Sequence, residues 1–80
     1  MDKSKIFSKV SAIIVAEFGI KEDKVFLNTN LEKLGLDSLD LILLITKIEE
    51  EFQIGLNDRK VQENYEIQHI VNLIEKELPK

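Results

Sequence analysis

The sequence predicts an all-α fold: a small four-helix bundle with three longer helices, a short third helix and a long first loop. Three segments carry apolar residues at the 3.6-residue spacing of an amphipathic helix, and no segment alternates apolar and polar residues as a half-buried strand does. The chain has 80 residues, which is enough for one modest core. The apolar faces must therefore be buried against one another, and we expect residues 1–80 to form a single helical domain.

The first predicted helix begins near Asp2 or Ser4, because either side chain can cap a helix N-terminus. It ends at Gly19, the residue type that most often closes a helix in the left-handed conformation. Its apolar residues recur at helical spacing: Ile6, Phe7, Val10, Ile13, Ile14 and Phe18.

Residues 20–37 form a long connection. Loops of this length are uncommon in small domains, so we expect this one to cross the length of the bundle and to set the direction of the next helix. Five apolar residues along it can anchor it to the core: Ile20, Val25, Leu27, Leu31 and Leu34.

The second helix is predicted from Ser38, placed at the N-cap, to about Phe52. Leu39 and Leu43 fall outside its core stripe, near the solvent side. They indicate either a surface that a partner covers or a packing contact with the long loop. The core stripe itself is broad: Leu41, Ile42, Leu44, Ile45, Ile48 and Phe52.

Residues 55–58 favour a turn that ends the second helix. Residues 59–64 can form at most a short third helix with Val61 pointing inward, which would be marginal by itself. Residues 65–78 form the last amphipathic helix, which Pro79 stops. Its apolar stripe consists of Ile67, Ile70, Val71, Ile74 and Leu78.

The net charge of −4 is concentrated around the second helix. Residues 32–58 contain seven acidic and two basic residues. We therefore expect a basic partner to dock on this part of the chain. Nucleic acid is not expected, because proteins that bind phosphate backbones usually present a basic face.

Missing residue types narrow the chemistry further. The chain has no Cys, which excludes disulfides, thiolate metal sites and Cys nucleophiles, and favours a cytoplasmic location. The single His69 cannot build a multi-His metal site, so no resident metal is expected. The apolar run at residues 41–45 is too short to span a bilayer. The N-terminus lacks the apolar core of a signal peptide.

Ser38 lies at the start of the most apolar helix. As a cap it would contribute about 1 kcal/mol. If it were phosphorylated or joined to a phosphodiester, the anion would lie beside free N–H groups and the positive end of the helix dipole. As a nucleophile it would need a base, and the only candidate His is His69. No Gly-x-Ser-x-Gly elbow is present, which argues against a hydrolase.

The residues around Ser38 resemble the attachment motif of the acyl carrier protein family, Gly-x-Asp-Ser-Leu. Residues 49–54, Glu-Glu-Glu-Phe-Gln-Ile, resemble the Glu-Glu-Glu-Phe-Gly-Ile ending of that family's second helix, and residues 68–74 resemble the start of its last helix. The motif stands here as Gly35-Leu36-Asp37-Ser38-Leu39.

This resemblance implies that Ser38 carries a 4'-phosphopantetheine arm, which a phosphopantetheinyl transferase attaches from coenzyme A. Asp37 and Leu39 are its immediate motif, and Asp37 contributes to the Mg²⁺-dependent attachment step when the transferase is bound. The chain would then be a carrier and not an enzyme. It would hold acyl groups as thioesters for fatty acid or related biosynthesis, such as that of polyketides, specialised lipids or secondary metabolites.

Partner enzymes would be acyl synthases, ligases or transferases with basic docking patches, and the carrier itself is expected to be a monomer. The residues expected to face these partners are Asp40, Leu43, Lys47, Glu49 and Glu50. The apolar second helix beside a short third helix also suggests a shelter for the acyl chain. Its predicted lining is Leu44, Ile48, Val61 and Ile67.

The chain departs from fatty-acid carriers at several positions. Leu43 stands where an acidic residue is typical, Thr46 and Lys47 stand where Met and a small residue are more frequent, and Asn64 replaces an apolar residue. These departures leave the attachment site intact. They make a specialised carrier, loaded by a dedicated ligase or serving a secondary pathway, an alternative to a carrier that serves the standard fatty-acid-synthase partners. The alternative from another class is a helical interaction module that uses Leu39 and Leu43 and never receives a prosthetic group.

Overall fold

The computed structural model describes residues 1–79, and within them the chain folds into four α-helices. They are α1 (Lys3–Phe18), α2 (Ser38–Phe52), α3 (Asp58–Val61) and α4 (Ile67–Glu77). The long connection before α2 contains two single 3₁₀ turns, at Glu22–Lys24 and Leu31–Leu34. The predicted all-α fold with a short third helix is confirmed. The third helix covers residues 58–61 instead of the expected 59–64.

Both ends of α1 are closed as the sequence indicates. The Asp2 side chain accepts a hydrogen bond from the backbone N–H of Lys5, at 2.9 Å, and so caps the first turn. Gly19 adopts the left-handed conformation with φ 66°, and its N–H donates to the Val15 carbonyl. A residue with a Cβ would be strained at that φ, so glycine gives α1 a defined end.

One core joins the four helices and the loop. α1 packs against both α2 and α4. Ion pairs cross both of these contacts: Lys3 with Glu75 at 3.9 Å, Lys9 with Glu51 at 3.7 Å and Lys47 with Glu17 at 3.7 Å. The buried apolar residues are Ile6, Val10, Ile14, Val25, Leu31, Leu41, Leu44, Ile45, Ile48, Phe52, Val61, Ile67, Ile70, Val71 and Ile74.

Backbone hydrogen bonds tie the long loop to the start of α4. The carbonyls of Leu27 and Thr29 accept hydrogen bonds from the N–H groups of Gln68 and Ile67, at 2.7 and 3.0 Å. These N–H groups belong to the first turn of α4, where a helix has no carbonyl of its own to bond. Glu66, the residue before α4, makes no side-chain cap. The loop therefore supplies the cap of α4.

Leu27 corrects one expectation about the loop. Its side chain is exposed, so it does not anchor the loop to the core as predicted, although Val25 and Leu31 do. Leu27 contributes its carbonyl to the cap of α4 instead. A hydrophobicity pattern reports side chains only, which is why this role was missed.

Candidate functional site

The approach to α2 is shaped by Gly35. Gly35 ends the second 3₁₀ turn with φ 91°, and its N–H donates to the carbonyls of Leu31 and Glu32. Only glycine adopts this conformation without strain from a Cβ. The chain turns sharply here and enters α2 at Ser38, three residues later.

The first turn of α2 is closed by a pair of aspartates. The Asp37 carboxylate accepts from the Asp40 N–H at 2.9 Å, and the Asp40 carboxylate accepts from the Asp37 N–H at 3.1 Å. This reciprocal capping box satisfies two backbone donors. The prediction that Ser38 is the N-cap is therefore wrong, because Asp37 takes that position. Ser38 is the first residue of the helix.

This shift by one residue decides what the Ser38 hydroxyl can do. Ser38 is exposed, and the cap that it was expected to provide is supplied by Asp37. The hydroxyl lies at the N-terminal end of a 15-residue helix, where the backbone N–H groups and the dipole favour an attached anion. A phosphodiester on Ser38 suits this position.

Three apolar side chains follow Ser38 along the outer side of α2. Leu39 is 73% exposed, Ile42 44% and Leu43 41%. Their spacing of three and four residues puts them on neighbouring positions of the helix surface. The alternative that the long loop covers Leu39 and Leu43 is contradicted by these exposures.

Ile42 was predicted in the core stripe, and that prediction is wrong. α1 and the other core elements cover the side of α2 that carries Leu41, Leu44, Ile45 and Ile48, all of them buried. Ile42 lies beyond that side. Its spacing to Leu39 was the available signal, since the two residues are three apart.

The polar residues expected to face partners differ in what they contact. Glu50 is exposed, whereas Asp40 belongs to the capping box. Lys47 is half-buried and pairs with Glu17 of α1. The Glu49 carboxylate accepts a hydrogen bond from the backbone N–H of Leu56, at 2.9 Å, and so joins α2 to the segment that leads into α3.

The four residues predicted to shelter an acyl chain, Leu44, Ile48, Val61 and Ile67, are each 0% exposed. They belong to one continuous core cluster, contributed by α2, α3 and α4. An acyl chain that entered among these four side chains would have to displace at least one of them.

His69 is the single histidine of the chain. It is half-buried, and its Nε2 lies 2.6 Å from the carbonyl oxygen of Lys60, the third residue of α3. Among residues 1–79, no group of three or more His, Cys, Asp or Glu residues could hold a metal ion. In the same residues, no helix is both long enough and apolar enough to cross a membrane.

Comparison with known proteins bears directly on this site. A family model described as "Phosphopantetheine attachment site" matches residues 8–75. An acyl carrier protein of Trieres chinensis is 37% identical over 75 residues, which are 92% of this chain and 94% of that protein. An acyl carrier protein of Thermotoga maritima is 38% identical over 77 residues, 95% of each chain. The chain belongs to the acyl carrier protein family.

The fold agrees with this membership. A crystal structure of an acyl carrier protein from Thermotoga maritima superposes with a TM-score of 0.83, covering 96% of this chain and 91% of that one, at 23% sequence identity. Acyl carrier proteins are carriers rather than enzymes, they interact with partner enzymes, and their domain bears covalently attached phosphopantetheine. The exposed hydroxyl of Ser38 at a helix N-terminus is chemically suited to that group.

Proposed function

We propose that this chain carries acyl groups for fatty acid or related biosynthesis on a 4'-phosphopantetheine arm attached to Ser38. The observation that supports the attachment point is the exposed hydroxyl at the first position of α2, beside a capping box made by Asp37 and Asp40. When bound, the arm supplies a thiol that holds the acyl group as a thioester. The protein supplies the hydroxyl and a surface on which enzymes dock.

The attachment point is tested by intact mass after incubation with coenzyme A and a broad-specificity phosphopantetheinyl transferase. We expect the mass to rise by one phosphopantetheine. Ser38→Ala should abolish the gain, whereas Ser8→Ala, at an exposed Ser of α1, should leave it unchanged. A wild-type chain whose mass stays constant would instead favour an interaction module without a prosthetic group.

The docking surface in this proposal is the outer side of α2. It combines the exposed apolar residues Leu39, Ile42 and Leu43 with the acidic Glu50 toward the other end of the helix. Exposed ion pairs contribute little affinity, about 0.2–1 kcal/mol each, but they steer and orient the approach of a basic partner. Brief encounters with several enzymes suit such a surface.

Leu43 makes the partner preference testable. Fatty-acid carriers typically have an acidic residue at this position, so Leu43→Glu should strengthen binding to a generic fatty-acid synthase partner with a basic patch. Because Leu43 is 41% exposed, the substitution should leave the thermal unfolding midpoint almost unchanged. Binding can be measured by titration calorimetry. A variant that no longer folds would mean that Leu43 belongs to the core.

We also propose that the acyl chain is sheltered among Leu44, Ile48, Val61 and Ile67. Each buried CH₂ would stabilise the sheltered state by about 0.8 kcal/mol. Comparing the methyl NMR spectra of the phosphopantetheine form with and without an octanoyl group tests this. We expect shifts at these four residues, and unchanged methyl signals would mean that the chain stays in solvent.

A further inference from the structure

Helix α3 is weakly stabilised by its own backbone. It spans Asp58–Val61, and its helical hydrogen bonds run from Val61 N–H to the Asn57 carbonyl, at 3.1 Å, and from Gln62 N–H to the Asp58 carbonyl, at 3.0 Å. Helices this short are not stable in water by themselves. The unfavourable free energy of nucleation exceeds the favourable free energy of a few hydrogen bonds. The position of α3 therefore depends on what holds it from outside.

Three contacts hold α3 from outside. The Val61 side chain is fully buried in the core. Before the start of α3, the carboxylate of Glu49 in α2 accepts a hydrogen bond from the backbone N–H of Leu56. At its far end, His69 Nε2 lies 2.6 Å from the Lys60 carbonyl oxygen. Because a carbonyl oxygen only accepts, Nε2 must carry the proton and donate it.

His69 is well placed to hold α3, because it is fixed in α4. It lies in the first turn of that helix, and its own N–H donates to the Glu66 carbonyl at 3.1 Å. The residue two positions earlier, Ile67, is fully buried and anchors the same turn in the core. The bond to Lys60 thus ties a marginal helix to a firmly packed one.

We propose that His69 is a positioning residue that keeps α3 closed over the acyl shelter and limits how readily a chain enters or leaves it. This inference rests on the proposed carrier function. All four shelter residues are fully buried, so a chain can enter only if an element moves. Of the contributing helices, α3 is the shortest, and it contributes Val61 alone. Its release requires breaking the His69 bond.

The first test uses the unmodified protein and needs no arm. Gln at position 69 places an amide N–H near the position of Nε2, whereas Asn is shorter and cannot reach the Lys60 carbonyl. We expect His69→Asn to accelerate amide hydrogen exchange at Val61 and Gln62 about fivefold, the factor that corresponds to the loss of one hydrogen bond of about 1 kcal/mol. His69→Gln should exchange nearly as slowly as wild type.

Two controls separate this effect from general loosening. The amide of Ile14, in the middle of α1, should exchange at the same rate in all variants. Asn72→Gln, at an exposed position of α4, measures the difference in helix preference between Asn and Gln without touching α3. Equal exchange at Val61 and Gln62 in wild type, His69→Asn and His69→Gln would overturn the proposal.

The second test follows access to a loaded octanoyl chain. Hydroxylamine attacks the thioester carbonyl carbon, a C–N bond forms, the C–S bond breaks, and the departing thiolate takes up a proton. We expect this cleavage to be about fivefold faster in His69→Asn than in wild type, with His69→Gln close to wild type. Equal rates in all three proteins would mean that His69 does not control access. If the protein accepts no phosphopantetheine arm, the carrier function is overturned instead. The hydrogen-exchange experiment still tests the His69 bond separately, because it uses the unmodified protein.

Discussion

Gln53 closes α2 in a conformation that non-glycine residues rarely adopt. Its φ is 58° and its ψ 47°, and its N–H donates to the Glu49 carbonyl. It is the one residue other than glycine with a positive φ in the part of the chain that the structure describes. The left-handed conformation costs an L-residue roughly 1–2 kcal/mol. The acyl carrier motif that residues 49–54 resemble has glycine at this place.

Replacing Gln53 by glycine should therefore stabilise the protein. We expect Gln53→Gly to raise the free energy of unfolding by about 0.5–1 kcal/mol, since the relief of strain is partly offset by the greater freedom of glycine in the unfolded chain. Urea denaturation of the unmodified protein measures this. Gln53→Ala keeps the Cβ and serves as the control. A glycine variant no more stable than the alanine variant would show that the strain is negligible.

The residues next to Ser38 explain why its hydroxyl is exposed. A capping box requires side chains three residues apart, and both Asp37–Asp40 and Ser38–Leu41 have that spacing. Only the first pair has acceptors at both positions, so the reciprocal box forms there. The helix consequently begins at Ser38, and the serine oxygen remains available for chemistry.

At the scale of the element, α2 carries apolar residues on two sides. Its inner side is buried in the core, and its outer side presents Leu39, Ile42 and Leu43 to solvent. An amphipathic helix that served the core alone would not need apolar residues on the outer side. The additional apolar residues on the outer side support the proposal that α2 also serves as a docking surface.

The two sides of α2 should respond differently to the same substitution. We expect Ile45→Ala, at a residue 2% exposed, to destabilise the protein by about 2–5 kcal/mol, because it removes buried methyl groups and leaves a cavity. Ile42→Ala should cost less than about 1 kcal/mol. Thermal unfolding followed by circular dichroism compares them. Equal losses of stability in the two variants would show that Ile42 belongs to the core, as the periodicity predicted.

At the scale of the whole molecule, the long loop and α4 stabilise each other. The loop supplies carbonyls that cap α4, and α4 with its neighbouring residues gives the loop its backbone partners, including the bond from Leu31 N–H to the Tyr65 carbonyl at 2.9 Å. The residues that these bonds join are more than 30 positions apart in the sequence. Neither arrangement is expected to persist without the other.

A pair of leucines in the loop tests this view. Leu31 is 1% exposed and Leu27 is 45% exposed, although they are only four positions apart in the sequence. Leu31→Ala should cost about 2–5 kcal/mol of unfolding free energy and should speed hydrogen exchange at Ile67 and Gln68, whose N–H groups bond to the loop. Leu27→Ala should change either quantity little. Similar losses in the two variants would mean that the side chain of Leu27 also anchors the loop.

What could be predicted from the sequence depends on how local each feature is. The caps of α1 at Asp2 and Gly19 and the order of the helices follow from neighbouring residues. The motif around Ser38 is also local, and it indicated the family. The error at Ile42 arose because periodicity describes one helix, whereas burial depends on which sides its neighbours cover. The cap of α4 was not predicted, because its acceptors are backbone carbonyls of a loop that is far from α4 in the sequence.

The sequence by itself determined the helices, the apolar faces and the serine that marks the family, because these depend on propensity, spacing and short motifs. Only the tertiary structure decided which side of α2 is covered, how the loop meets α4 and where His69 meets α3. The physical reason is that a helix carries its pattern in its own residues, whereas each of these contacts joins groups that only folding brings together. The bond between His69 and Lys60 spans nine residues and two helices, and no local pattern indicates it.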